Sequence, residues 1–301
     1  MSFETQPLVS IITVNYNSTA VTGDMLRSLY NITYKNFEII VVDNHSKEDP
    51  TAILKEIYPE VKVVLNDNNL GFAGGNNVGI QHARGEYYFF INNDTELTPS
   101  IIEGLLEAFE EYPNAGVVSP KFHYFFAPDI IEYAGYNPVN IYNGRNSMIG
   151  CREKDYGQYD DLRITSYAHG GAMMVPAKVV QQAGPMPEIY FLYYEEFDWC
   201  ERIKEQGYKI YYQYKSLIYH KESMTTGKKS VLKTFYITRN RILFMRRNVK
   251  GLSFLVFSLY LIFVTIPKNT VFFLTKSEMD HLRAFWKGIL WNFFNPNFKA
   301  K

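Results

Sequence analysis

Five polar clusters in the chain carry side chains that could do chemistry. Asn92-Asn93-Asp94 follows the apolar run 87–91. One carboxylate among amides is an oxygen-rich set suited to Mg²⁺ or Mn²⁺, with water and phosphate oxygens completing the shell. A turn capped by Thr95 has the same composition. Asp43 closes the run 37–42 (FEIIVV); its carboxylate can accept from a ribose or base, or close a turn with Asn44 and Ser46. Residues 68–79 (NNLGFAGGNNVG) combine asparagine amides with close glycines, which let a backbone approach a ligand or simply turn. They lack the Gly-x-x-x-x-Gly-Lys-Ser/Thr pattern of a P-loop.

Residues 193–202 (YYEEFDWCER) place four carboxylates among aromatics. On a helix, Glu195, Asp198 and Arg202 share one face and can form a charge pair. Glu196 then lies near apolar neighbours, which raise a carboxylate toward the working range of a general base. An amphipathic helix with an acidic N-terminus is the plain alternative. Tyr219-His220 closes the apolar stretch 209–218, and a histidine there serves either structure or a metal.

The elements that must position these clusters alternate. Residues 8–14, 37–42, 61–65 and 87–91 are short β-branched or aromatic runs of buried strands. Residues 21–30, 51–57 and 76–82 have helical spacing. The alternation predicts an α/β fold, a doubly wound sheet with ligands at the carboxyl ends of its strands. The polar clusters fall at those ends.

The length, 301 residues, allows a sizeable core, and the 47% apolar content excludes a disordered chain. Two cysteines give neither a disulfide framework nor a zinc motif, so a reducing cytosol is expected. Residues 1–10 show no basic start before an apolar run, so no secretory signal is expected. The net charge of zero is a cancellation. From Lys221 onward lie 15 basic and 3 acidic residues, which divides the chain into −12 before and +12 after. The basic part contains 252–267 (LSFLVFSLYLIFVTIP), sixteen uncharged residues preceded by Arg239, Arg241, Arg246, Arg247 and Lys250. The run is short for a span, which needs about 20 residues. It fits an interfacial or re-entrant helix meeting anionic headgroups, with a buried core helix as the alternative; for the charge asymmetry the alternative is a basic domain docked on an acidic one. No nucleic-acid partner is expected.

The ordered set of motifs resembles the family 2 glycosyltransferases of GT-A fold, in particular the rhamnosyltransferase-like branch. It comprises VSIITVNYNS (9–18), VVDNHS (41–46), NLGFAGGNNVGI (69–80), INNDTEL (91–97), GGAMMVP (170–176) and FLYYEEFDWCERIKEQGYKI (191–210), then His220 and Arg239-Asn240. The resemblance implies a GT-A (Rossmann-like), mixed, mostly parallel sheet over residues 1–225. Residues 226–301 would be a helical, membrane-interfacial extension. It implies inverting transfer of one sugar from a nucleoside-diphosphate sugar, with dTDP-rhamnose indicated, to a lipid-linked glycan or polysaccharide acceptor in cell-envelope polysaccharide biosynthesis. The donor would meet Val14, Tyr16, Asp43, Gly71, Gly75, Asn76 and Asn93. Mg²⁺ or Mn²⁺ would be held by Asp94 with Asn92 and His220. Glu196 would be the general base, with Glu195 as the other candidate.

Three positions depart from the pattern: Asn92 replaces an aspartate, Glu196 replaces an aspartate, and Pro185-Met186-Pro187-Glu188 replaces an acidic turn. No Gln-x-x-Arg-Trp motif of a processive synthase occurs. The expected location is cytoplasmic, peripheral on the inner face of the membrane; a homo-oligomer is compatible with these features. A catalytically silent nucleotide-sugar-binding subunit is the rival reading. A sugar nucleotidyltransferase is disfavoured, because no Gly-rich basic start grips a triphosphate.

Overall fold

The computed structural model describes residues 6–221 and 230–295. The chain forms two compact units. The first holds the residues up to Asn137, then Met148–Phe191, then Glu195 to the end of the last strand. Its elements are β1 (Val9–Asn15), α1 (Thr19–Ser28), β2 (Phe37–Asp43), α2 (Thr51–Ile57), β3 (Lys62–Leu65), α3 (Gly71–His82), β4 (Tyr87–Ile91) and β5 (Thr95–Leu97). They continue as α4 (Ile101–Glu111), β6 (Ala115–Tyr124), β7 (Ala127–Tyr133), β8 (Arg163–Ile164), β9 (Ala172–Pro176), α5 (Ala177–Ala183), α6 (Glu195–Glu205) and β10 (Lys209–His220).

The strands form one mixed sheet in the order β3-β2-β1-β4-β9-β6-β10-β5, with β7 beside β6 and β8 beside β10. Strands β3, β2, β1 and β4 run parallel. Ile11, Ile12, Ile40, Val41, Phe89 and Phe90 are buried, as strands covered on both faces require. Strand β9 then enters antiparallel between β4 and β6, a reversal that no periodicity announced.

Register sets the position of the polar clusters. Asn15 pairs with Asp43, so β1 and β2 end level. Ile91 pairs with Ala172, and the Asn92 amide donates to the Gly171 carbonyl at 2.8 Å. His220 pairs with Thr95 across β10 and β5, and the next amide, of Lys221, donates to the Asp94 carbonyl at 2.8 Å. Backbone pairing alone therefore sets His220 beside Asp94.

One helix starts earlier than expected. The glycine-rich stretch read as a loop before a helix at 76–82 is itself the first turn of α3. Gly71 adopts φ +72°, and a Cβ there would lie 2.2 Å from the Phe191 carbonyl oxygen, so only glycine fits.

The second unit comprises Pro138–Ser147, Leu192–Tyr194 and the C-terminal helices. Helix α7 (Val231–Asn248) is followed by α8 (Gly251–Tyr260), a π-helical turn (Leu261–Thr265) and α9 (Ile266–Thr275), then α10 (Met279–Phe294). The Asn292 amide donates to the Arg239 carbonyl at 3.0 Å, and Arg246 returns a bond to the Asn292 carbonyl at 2.8 Å, so α10 lies along α7. From Gly251 to Thr275 the helix is continuous, 25 residues. Pro267, which removes a backbone donor, follows the π turn, where the hydrogen-bonding pattern has already shifted. Phe257, Leu261 and Thr265 form its one buried stripe, while Leu252 is 74% and Phe263 72% exposed.

Candidate functional site

At the ends of β1 and β2 the polar side chains form one buried network. Asn15 donates to Asp43 Oδ1 at 2.6 Å; the Ser46 hydroxyl and amide donate to Oδ1 and Oδ2 at 2.6 and 2.8 Å. Asp43 thus closes the turn that the sequence allowed, and these three bonds use most of a carboxylate's acceptor capacity. Thr22 donates to Asn15 at 2.7 Å, and Asn93 donates to Thr22 at 2.9 Å and to Ser18 at 2.8 Å. Asn93 therefore ties the end of β4 to α1. Val14 lies near the end of β1, and Tyr16 just beyond the strand is 40% exposed.

Along α3, Gly75 faces Val14 and Asn44, and the Asn76 amide donates to its own helix at Phe72. Gly71 and Asn44 join through the Asn44 amide and the Gly71 carbonyl at 2.8 Å. Sequence reasoning passed over Asn77. Its amide donates to the Met186 carbonyl at 2.9 Å and to Glu188 at 2.8 Å, and it accepts from the Met186 amide at 2.9 Å. The Pro185–Glu188 turn is thereby fastened to α3.

The second focus lies at Asp94. His220 Nε2 is 3.2 Å from Asp94 Oδ1, and His220 Nδ1 lies 2.8 and 2.9 Å from the two Glu132 oxygens. All three residues are buried. Burial pushes the His220 imidazole down, but the carboxylates of Asp94 and Glu132 outweigh it and raise it to about 10. Among the described residues Asp94 Oδ1 meets no donor closer than the His220 ring, with which it makes a long ion pair at 3.2 Å. Asn92 is half-buried at the same turn, its carbonyl accepting from Thr95 at 2.7 Å. Among the described residues no group of three or more histidine, cysteine or acidic side chains forms a ready metal cage. Asp94 and His220 offer a hard oxygen and an imidazole nitrogen, a set that fits Mg²⁺ or Mn²⁺ when phosphate oxygens and water supply the rest.

The third focus is the start of α6. Glu195, Glu196 and Asp198 occupy its first turn, where the helix dipole favours negative charge. Asp198 accepts from Tyr190 at 2.7 Å and lies 3.7 Å from Arg202 Nε. Glu195 is buried, whereas Glu196 is partly open. The approach to this turn is strained: Phe191, Tyr193 and Tyr194 all have positive φ. A Cβ built on Gly170 would stand 3.6 Å from the Glu196 carboxyl carbon, so the absent side chain leaves room against that carboxylate.

His169, also unremarked in the sequence, connects the two acidic foci. Its ring packs on Phe122 at 4.2 Å, lies parallel to Tyr136 at 6.0 Å, and stands 6.0 Å from the His220 ring. The Gly171 amide donates to its Nδ1 at 3.0 Å. Burial, with the charge of His220, holds its pKa down at about 3, so the ring is neutral. Glu196, Gly170, His169, His220 and Asp94 thus form a chain of neighbours.

A mixed sheet whose parallel half ends in polar side chains, with an acidic turn before β5 and a second at α6, is the α/β architecture the sequence predicts. Residues 10–174 match the family model described as glycosyl transferase family 2. With more than half of its length matched, the chain belongs to that family. It is 28% identical over 210 residues to the low-salt glycan biosynthesis hexosyltransferase of Haloferax volcanii, covering 67% of this chain and 63% of that protein. It is 24% identical over 243 residues to the N-acetylglucosaminyl-diphospho-decaprenol L-rhamnosyltransferase of Mycobacterium tuberculosis, covering 73% of this chain and 78% of that one. Among solved structures, a mannosyltransferase of Pyrobaculum calidifontis in complex with GDP-Man and Mn²⁺ superimposes with TM-score 0.58 at 14% identity, over 97% of this chain and 76% of that chain. GalNAc-T7 with UDP, GalNAc and Mn²⁺ gives TM-score 0.62 at 14% identity, over 87% and 57%. These likenesses establish a GT-A fold for the chain.

Proposed function

We propose that this protein is an inverting glycosyltransferase that moves one sugar from a nucleoside-diphosphate sugar to a hydroxyl of a lipid-linked glycan. The observation that carries the reading is the chain of neighbours that runs from Asp94 and His220 through His169 to Gly170 and Glu196. Glu196 is the base: a carboxylate oxygen takes the proton of the acceptor hydroxyl as that oxygen attacks the anomeric carbon, opposite the departing diphosphate. The bond from the anomeric carbon to the diphosphate breaks in the same step, so no enzyme-bound sugar intermediate is needed. Glu195 is buried at the same turn and serves the fold.

Asp94 and His220, with Asn92 at the turn, are the residues that would hold a divalent cation, which supplies charge neutralisation at the leaving diphosphate. Tyr16 offers the ring on which the base stacks, and the Asp43–Asn15 network holds the loop beside it rigid. Relatives named as a hexosyltransferase and an L-rhamnosyltransferase support a hexose donor. Solved neighbours containing UDP or GDP-Man with Mn²⁺ support the nucleotide and the metal. The decaprenol-linked acceptor in the mycobacterial relative's name supports a lipid-linked acceptor.

Residues 226–301 associate with the membrane in this reading. The helix Gly251–Thr275 is about 37 Å long at 1.5 Å per residue, enough for a hydrocarbon core of about 30 Å. Its exposed leucines and phenylalanines have no reason to face water over so large an area, and basic residues flank it for anionic lipid.

Thermal melting with a panel of nucleoside-diphosphate sugars, with and without Mn²⁺, tests the donor side. One donor should stabilise the wild-type protein in a Mn²⁺-dependent way, and Asp94→Asn should lose the Mn²⁺ dependence. Stabilisation by no member of the panel would sink the reading.

A further inference from the structure

We propose that Glu132 is the positioning residue of the metal-side histidine, holding the His220 ring with Nε2 turned toward Asp94. This inference rests on the reading of Asp94 and His220 as metal-holding residues.

Glu132 lies on β7 between Ile131 and Tyr133, which are fully buried, and is itself 4% exposed. A carboxylate in such a place is costly unless it is partnered. Both its oxygens meet His220 Nδ1, at 2.8 and 2.9 Å. A carboxylate only accepts, so Nδ1 carries a hydrogen toward Glu132 and Nε2 is turned to Asp94 Oδ1 at 3.2 Å, where a bound cation would take the place of the Nε2 proton. Metal-binding histidines commonly donate their second nitrogen to a carboxylate in this way, which fixes the ring and strengthens its basicity.

The backbone of His220 does not need Glu132. Its carbonyl accepts from the Phe125 amide at 2.9 Å, its strand pairs with β5 at Thr95, and the next amide reaches Asp94. What the strand pairing leaves undetermined is rotation of the imidazole about its side-chain bonds. The rings of Phe122 and His169 stand edge-on at 6.1 and 6.0 Å, which confines the imidazole without distinguishing its two nitrogens. Glu132 makes that distinction. A single acidic residue inside IIEYAG (130–135) was the only sign of it in the sequence.

The test is Mn²⁺ binding to the full chain in saturating UDP or dTDP, followed by electron paramagnetic resonance, with the nitrogen coupling of bound Mn²⁺ recorded separately. Wild type should show one site with histidine nitrogen coupling, and His220→Gln should lose the coupling. Glu132→Leu, checked for folding by its melting curve, should bind Mn²⁺ about 10–100-fold more weakly, with the coupling diminished. Glu132→Gln keeps an acceptor for the Nδ1 hydrogen and should recover most of the affinity, which a purely structural deletion effect would not reproduce. Folded Glu132→Leu with wild-type affinity and coupling overturns this inference while leaving the metal reading intact. Wild type without histidine coupling, or unchanged by His220→Gln, overturns both. Should Glu132→Leu not fold, Glu132→Ala takes its place, with the same expected loss and the same overturning result.

Discussion

Gly170 offers a perturbation whose effects on stability and on activity should have different signs. Its backbone is not among the glycines with positive φ, so an L side chain is conformationally acceptable there. An added Cβ would meet Glu196 Cδ and Cγ at 3.6 Å and Cβ at 3.8 Å, ordinary contacts that require no movement. Replacing glycine by alanine at a compatible site stabilises by about 0.4–1 kcal/mol through the unfolded chain, or roughly 1–4 °C in Tm for a chain of this size. The same methyl occupies the space beside the carboxylate, which an acceptor hydroxyl must approach to about 2.6–3.2 Å. Misplacement by about 1 Å costs on the order of 10²-fold, about 2.7 kcal/mol in kcat/KM. Gly170→Ala should therefore melt at or slightly above wild type and lose activity by about that factor, and Gly170→Val should lose more. Scanning fluorimetry and nucleoside-diphosphate release, run on the same preparations, separate the two effects. A Gly170→Val enzyme with wild-type kcat/KM would refute the placement of the acceptor beside Glu196.

Two other expectations concern pH and the membrane. His169 is held neutral with its pKa lowered to about 3, so the unfolded chain takes up this proton first and stability is lost as pH falls below about 6.5. The slope is about 1.4 kcal/mol per pH unit. From pH 6.5 to 5 wild type should lose about 2 kcal/mol more than His169→Gln in denaturant titrations, and equal losses would remove the assignment. Leu255→Lys with Phe263→Lys adds two charges to exposed positions of the long helix, each costing about 2.5 kcal/mol or more at bilayer depth. The doubly substituted protein should leave phosphatidylglycerol vesicles for the supernatant in sedimentation, and an unchanged pellet would contradict the membrane reading.

The features legible in the sequence were those set by local pattern. The runs ending at Val14, Val42 and Ile91 are β-branched or aromatic and became the parallel strands β1, β2 and β4. The acidic turn at Glu195 begins a helix, the condition under which Glu195, Asp198 and Arg202 share a face. What stayed hidden depended on tertiary contact. Residues 71–75 read as a loop because glycine is a poor helix former, yet in α3 Gly71 lies against Phe191 and Gly75 against Val14. Pro267 and Lys268 ended the apolar run in sequence, while the helix continues through a π turn to Thr275. Glu132 and His169 gave no periodic signal, since their meaning comes from strands β7, β9 and β10 converging from distant parts of the chain.

The central claim is that Glu196 is the base of a sugar transfer that this chain performs. The direct measurement is the transfer rate of Glu196→Gln at saturating donor, beside donor affinity determined by calorimetry. The account predicts a loss of about 10²–10⁴-fold in rate with donor affinity within about twofold of wild type. Transfer by Glu196→Gln at the wild-type rate would contradict it.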